Sequence, residues 1–354
     1  ARISNDAKED IVRISTAFLR GMGTLMGHHK QRVVAALGQS ALPGWMAFSL
    51  GLLNAPLTEA LFGLKLKVLA LHETLLVGYG SVLTTAHVKN MVHSQLNNLR
   101  AFAPVQARAK VAEEVGAVVQ YEPVATKTVG CLRCVVSSKK HRGILHDPAL
   151  GGLAGLLRFV MMFTQVSAQQ TNRWNDDPDT FNVDEDGHTH ATELDGTKRC
   201  GSAILRSVAV DFMESVLDRY TDPVRVKDCR PGTWREGSVA LATAALRLLQ
   251  MGRSPEGTPG SRGWQLQEVA IKMSSLIVDV LCRQQAQKKK GRGLADSGTA
   301  APLAAASLLS YAIQTISSFF RASPNSPQQH SSATATTASP FLIARCFWLC
   351  SDLE

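Results

Sequence analysis

The densest concentration of chemistry-bearing side chains lies at 175–195, which holds eight of the chain's 29 acidic residues and no Lys or Arg. Its central members are Asp176, Asp177, Asp179, Asp184, Glu185 and Asp186. Carboxylates packed this closely in sequence concentrate negative potential at one place. In water such a site steers and holds a basic partner through charge-assisted hydrogen bonds, with an affinity that salt weakens. The same pattern also fits a solvated surface loop that meets no partner. A third chemistry is calcium. Asn182, Asp184, Asp186, Gly187 and Glu193 fall at the ligand spacing of an EF-hand loop. Against it, Asn182 stands where Asp is usual and Thr189 where an apolar residue ties paired loops together. Pro178 would also break the entering helix, and no second loop exists to pair with. On charge pattern alone an anionic clamp for a basic protein and a solvated loop without a partner stand level, with calcium at 182–193 the lesser reading.

Other constellations carry less. Cys131 and Cys134, followed by His141 and His146, hint at zinc, but a finger wants about twelve residues between its ligand pairs. The two thiols stand three apart in an apolar helical stretch and read as buried structural groups. His188 and His190 alternate in the acidic loop and read as polar filler. Gly78-Tyr79-Gly80 reads as a helix break, because no Gly-Lys-Ser/Thr follows as a phosphate loop requires. The basic run Lys288-Lys289-Lys290-Gly291-Arg292 reads as a solvated loop in preference to a localisation signal or nucleic-acid contact. No triad, nucleophile elbow or paired-carboxylate site stands out. No enzyme activity, cofactor or bound metal is expected.

The elements that must position the acidic loop are helices. Ala and Leu are abundant, and aromatics are 6% of the chain. Apolar residues recur at helical spacing, as in Ile204, Leu205, Val208, Phe212, Val216 and Leu217. The pattern predicts helices over 7–26, 40–55, 58–76, 81–100, 124–137, 148–170, 197–219, 237–251, 264–285, 302–321 and 341–350. Polar stretches at 172–195, 285–297 and 322–340 read as loops, the last as disordered. Helix pairs at intervals of roughly 35–50 residues match HEAT and armadillo repeats. The expected fold is therefore an all-α solenoid of HEAT/armadillo-like helical repeats. The uncharged stretches 38–58 and 297–320 read as buried solenoid helices and not as membrane spans. Trp174, Trp264 and Trp348 read as packing anchors, as does Phe181, with Arg199 capping or pairing locally.

Three patches resemble importin-β family (karyopherin-β) nuclear transport receptors of the importin-nine type. The first joins Gln169-Gln170, Trp174, Asp177-Pro178, Phe181, Val183-Asp184-Glu185-Asp186 and Thr197-Lys198-Arg199. The second is the helix start at Trp264, with Glu268 and Ala270. The third runs from Pro340-Phe341-Leu342 through Arg345 to Trp348. They follow the family's order at compatible spacing and cover roughly 150–350, with 1–145 a fainter match. Gly187-His188-Thr189-His190 interrupts the acidic run, which is longer in the family. The resemblance implies a receptor that wraps basic cargo, such as core histones and ribosomal proteins, and shuttles it between cytoplasm and nucleus. Ran GTPase and nucleoporins would engage parts of such a receptor without a counterpart here. Neither membrane nor direct nucleic-acid binding is implied.

The expected organisation is N-terminal helical repeats at 1–145, then central repeats at 146–284 carrying the acidic loop 172–195. A polar linker follows at 285–339 around the helix 302–321, and a further repeat begins at 340–354. Ala1 in place of Met, and an end at Glu354 within a predicted helix, read as a piece from the middle of a solenoid. Seven cysteines, an odd number with no signal peptide, point to a reducing compartment. The net charge of +9 is scattered over helical stretches without interleaved aromatics, which disfavours a nucleic-acid stripe.

Overall fold

The second helix makes the logic of the fold plain: Leu42, Met46, Ser49 and Leu53 are its buried residues, spaced so that one stripe faces the protein. The computed structural model describes residues 5–28, 42–56, 58–112, 115–166, 168–177, 179–181, 201–221, 236–253, 263–289, 300–321 and 339–351. Among these the protein is all-α, with no strand. The helices are α1 Asn5–His28, α2 Leu42–Asn54, α3 Glu59–Gly78, α4 Thr85–Ala112 and α5 Val115–Ser137. They continue with α6 Gly152–Met161, α7 Ala168–Asp176, α8 Gly201–Thr221 and α9 Glu236–Arg253. The last are α10 Gly263–Lys289, α11 Ala300–Arg321 and α12 Pro340–Ser351.

Contacts divide the chain into two compact units, one of 1–150 with 167–212, the other of 151–166 with 213–354. In the first, α1 packs on α3, α2 on α3 and α4, and α5 on α3 and α4. Each helix thus meets its sequence neighbour or the next but one. Its core holds Leu64, Val68, Val92, Leu96, Phe102, Val124 and Leu132. In the second, α9 packs on α6, α10 and α11, and α12 on α10 and α11. Ile271, Val278, Ala312, Leu342, Cys346 and Leu349 form one cluster there, against which Trp264, Tyr311 and Ile316 lean. The helix at 300–321, set within a linker by its surroundings in sequence, is a packed member of this unit.

Several boundaries differ from the sequence expectation. The helix predicted over 148–170 is broken. A 3₁₀ turn at Pro148–Leu150 leads into α6 through Gly151 and Gly152, at φ +84° and +67°, a region that glycine enters without a Cβ penalty. After a 3₁₀ turn at Met162–Thr164 the chain extends at Gln165, and the side-chain amide of Gln265 donates to the Val166 carbonyl at 2.7 Å. The carbonyl left over by the break is thereby satisfied. The predicted loop 285–297 starts later, because α10 runs to Lys289 over Gln, Ala and Lys, all good helix formers. Finally, α4 and α5 extend past the predicted limits 100 and 124 and carry Pro104 and Pro123 inside them.

Between α9 and α10 two glycines let backbones meet. A Cβ on Gly252 would lie 2.6 Å from the Gly263 carbonyl oxygen and 2.9 Å from Gln267 Cγ. No described helix is long and apolar enough to cross a membrane.

Candidate functional site

The described part of the acidic segment is built on the end of α7. Trp174 is fully buried and meets the buried Phe181 edge-on, with ring centroids 4.9 Å apart at 84°. Edge-to-face contact is a favoured aromatic geometry, and here it pins two points seven residues apart. The chain between them must turn. The Asp177 N–H donates to the Arg173 carbonyl at 2.9 Å, which closes α7. The Asp177 carboxylate accepts from the Asp179 N–H at 3.2 Å, and its carbonyl accepts from the Thr180 hydroxyl at 2.7 Å. A carboxylate that accepts the N–H two residues on is the usual way to start a turn. Asp176, Asp177 and Asp179 are all exposed. The aromatic pair faces inward and three carboxylates face water, one of them also holding the turn.

Asp184, Glu185, Asp186 and Arg199 lie outside the described residues, as do His188, His190 and the whole 182–193 calcium-like spacing. Trp264 is half-buried and lies 6.4 Å from Phe341. Trp348 is half-buried beneath the Arg345 guanidinium, 4.7 Å from its ring centroid. No group of three or more His, Cys, Asp or Glu able to hold a metal occurs among the described residues. Cys131 is buried, with its thiol donating to the Leu69 carbonyl at 3.3 Å. Burial pushes the Cys131 and Cys134 thiols up, away from the reactive thiolate. His141 hydrogen-bonds instead to the Gly80 carbonyl at 3.3 Å.

Sequence reasoning missed the buried polar groups. Lys65 is fully buried, and its ammonium donates to the carbonyls of Leu53 and Ala55 and to Asn98 Oδ1. It closes the C-terminal end of α2, where unpaired carbonyls and the helix dipole favour a cation. Burial lowers its pKa to about 8. Asn98 and the Tyr121 hydroxyl complete the network. In the second unit Arg345 Nε donates to Glu268 Oε1 at 3.1 Å, both side chains being buried. The signal was present: Lys65, His72 and Glu268 each sit in the apolar phase of their helix. A polar residue in that phase needs a partner, but the sequence does not say which.

In comparison with known proteins, the chain matches no protein-family model and no curated protein sequence.

Proposed function

We propose that the chain is a helical-repeat carrier of basic proteins, in the manner of an importin-β family nuclear transport receptor. The observation that carries the reading is the turn at 174–181, where buried Trp174 and Phe181 hold Asp176, Asp177 and Asp179 in solvent. A fixed anionic turn loses less freedom on meeting a Lys- or Arg-rich surface than a loose one does. Asp184, Glu185 and Asp186 would extend the clamp along the same segment. In the first unit the pairing of α1 to α5 with a neighbour or next-but-one neighbour is consistent with stacked repeats. Core histones and ribosomal proteins are the cargo class, with shuttling between cytoplasm and nucleus and no catalysis.

The test is fluorescence anisotropy of a labelled core-histone dimer at two salt concentrations. It compares the chain with a variant carrying Asp176→Asn, Asp179→Asn, Asp184→Asn, Glu185→Gln and Asp186→Asn. Binding that weakens at least tenfold in the variant, and with salt, supports the reading. Equal, weak binding by both proteins overturns it.

A second reading, a helical scaffold without a transport role, is favoured by the net charge of +9. That charge repels a basic cargo until it is within about 8–10 Å of the acidic turn. The two part on cargo: a carrier binds the histone dimer saturably and loses that binding with the acidic residues, and a scaffold does neither.

A further inference from the structure

The second unit carries a groove of opposite character between α9 and α11. It has a volume of about 490 Å³ and is lined by Leu246, Leu249, Gln250, Arg253, Tyr311 and Gln314, among others. That size falls in the range of ordinary ligand pockets. Leu246 and Leu249 supply apolar wall, while Gln250, Arg253 and Gln314 are exposed. Among the described lining residues Arg253 is the charged one, and none is a carboxylate.

The arginine is held ready. Its guanidinium lies over the Tyr311 ring, 5.4 Å from the centroid, a contact that fixes the plane of the fork and leaves its N–H groups available. The ring is fixed in turn. The Tyr311 hydroxyl donates to Gln267 Oε1 at 2.6 Å, and the Gln267 amide donates to the Gly252 carbonyl at 2.8 Å. This relay ties α11, α10 and the end of α9 together around the guanidinium. Arg253 makes no ion pair with any described residue. Gln250 and Gln314 stand on opposite walls, and each carboxamide offers one acceptor and two donors, the complement of a peptide group.

We propose that this groove binds an acidic peptide segment in extended form. Arg253 pairs a side-chain carboxylate bidentately, and the Gln250 and Gln314 carboxamides bond the peptide backbone. Charge complementarity with Arg253 selects this occupant, independently of cargo binding at the acidic turn. A basic peptide would place its charge against Arg253, and an apolar one would leave that guanidinium unpaired.

The experiment is anisotropy of fluorescein-labelled hexaglutamate titrated with the full chain, beside three variants. Arg253→Gln removes the groove cation. Arg247→Gln removes an equal charge from the same helix at an exposed position outside the lining. Gln314→Glu places a like charge on the exposed wall opposite, where folding is little affected. The expected result is saturable binding by the native chain, at least tenfold weaker for Arg253→Gln and for Gln314→Glu, and within about twofold of native for Arg247→Gln. Equal weakening by Arg253→Gln and Arg247→Gln would reduce the effect to diffuse charge and overturn the proposal. So would binding that does not saturate, or Gln314→Glu binding as the native chain does.

Discussion

At the scale of single residues, two buried groups set measurable behaviour. Ser49 Oγ donates to the Met46 carbonyl at 3.1 Å, so at 3.0 Å it accepts from His72 Nε2–H. His72 Nδ1 is then the bare nitrogen, buried without a partner. Burial lowers the His72 pKa to about 4, against about 6.5 in an unfolded chain. As pH falls from 6.5 to 4, the unfolded chain takes up a proton that the fold refuses. Stability should therefore fall across that window, by on the order of 3 kcal/mol at its end. Urea unfolding of the native chain and His72→Gln at pH 7, 5.5 and 4.5 checks this, with the variant giving the flatter profile. Trp174→Ala should cost about 4 kcal/mol by emptying the site against Phe181 and, on the proposed carrier reading, should weaken histone binding although no charge is removed. If Trp174→Ala binds histone as tightly as the native chain, the turn needs no pinning. Trp174 and Phe181 were legible from sequence as large apolar residues flanking a polar run. The Asp177 turn was not, because whether a carboxylate caps or faces a partner depends on a few ångströms of backbone. Lys65 was not either, since its acceptors at Leu53, Ala55 and Asn98 come from two other stretches of chain.

At the scale of helices, apolar spacing alone placed most of the elements, since a buried stripe repeats every three to four residues whatever it packs against. It failed where local chemistry overrode the stripe. The apolar run 148–170 looks continuous, yet the left-handed backbone at Gly151 and Gly152 and the extended step at Gln165 divide it. The groove between α9 and α11 was hidden for a different reason: Arg253 and Tyr311 are far apart in sequence, and no local pattern pairs them. Two substitutions probe how the second unit is fastened. Gly252→Ala should destabilise by roughly 2 kcal/mol, because its Cβ would press on the Gly263 backbone, which cannot rotate away. Arg345→Met should cost about 3–5 kcal/mol by leaving the Glu268 carboxylate buried without this partner. Arg345→Met combined with Glu268→Gln should recover most of that loss. Chemical denaturation read by far-UV circular dichroism measures all three, and a double variant no better than Arg345→Met would show that the pair does not act as a unit.

At the scale of the whole molecule, the negative charge is concentrated while the positive charge is scattered. A chain with a net charge of +9 and a pI near 9.3 keeps eight carboxylates within 21 positions. Copies should attract one another at low salt, acidic segment to basic surface, and cease to do so once the screening length is short. Light scattering at about 20 mM and about 300 mM salt should show attraction only at the lower value. Changing Asp176, Asp179 and Asp184 to Asn should abolish it, and attraction unchanged in that variant would place its source elsewhere. The neighbour-to-neighbour packing of α1 to α5 in the first unit has a mechanical consequence. Where each helix leans only on the next one or two, load is carried by a row of small interfaces instead of one shared core. Stretched from its ends, this array should yield in a series of small, low-force steps, one helix pair after another. It would behave as a compliant spring that tightens or relaxes by small adjustments at every joint.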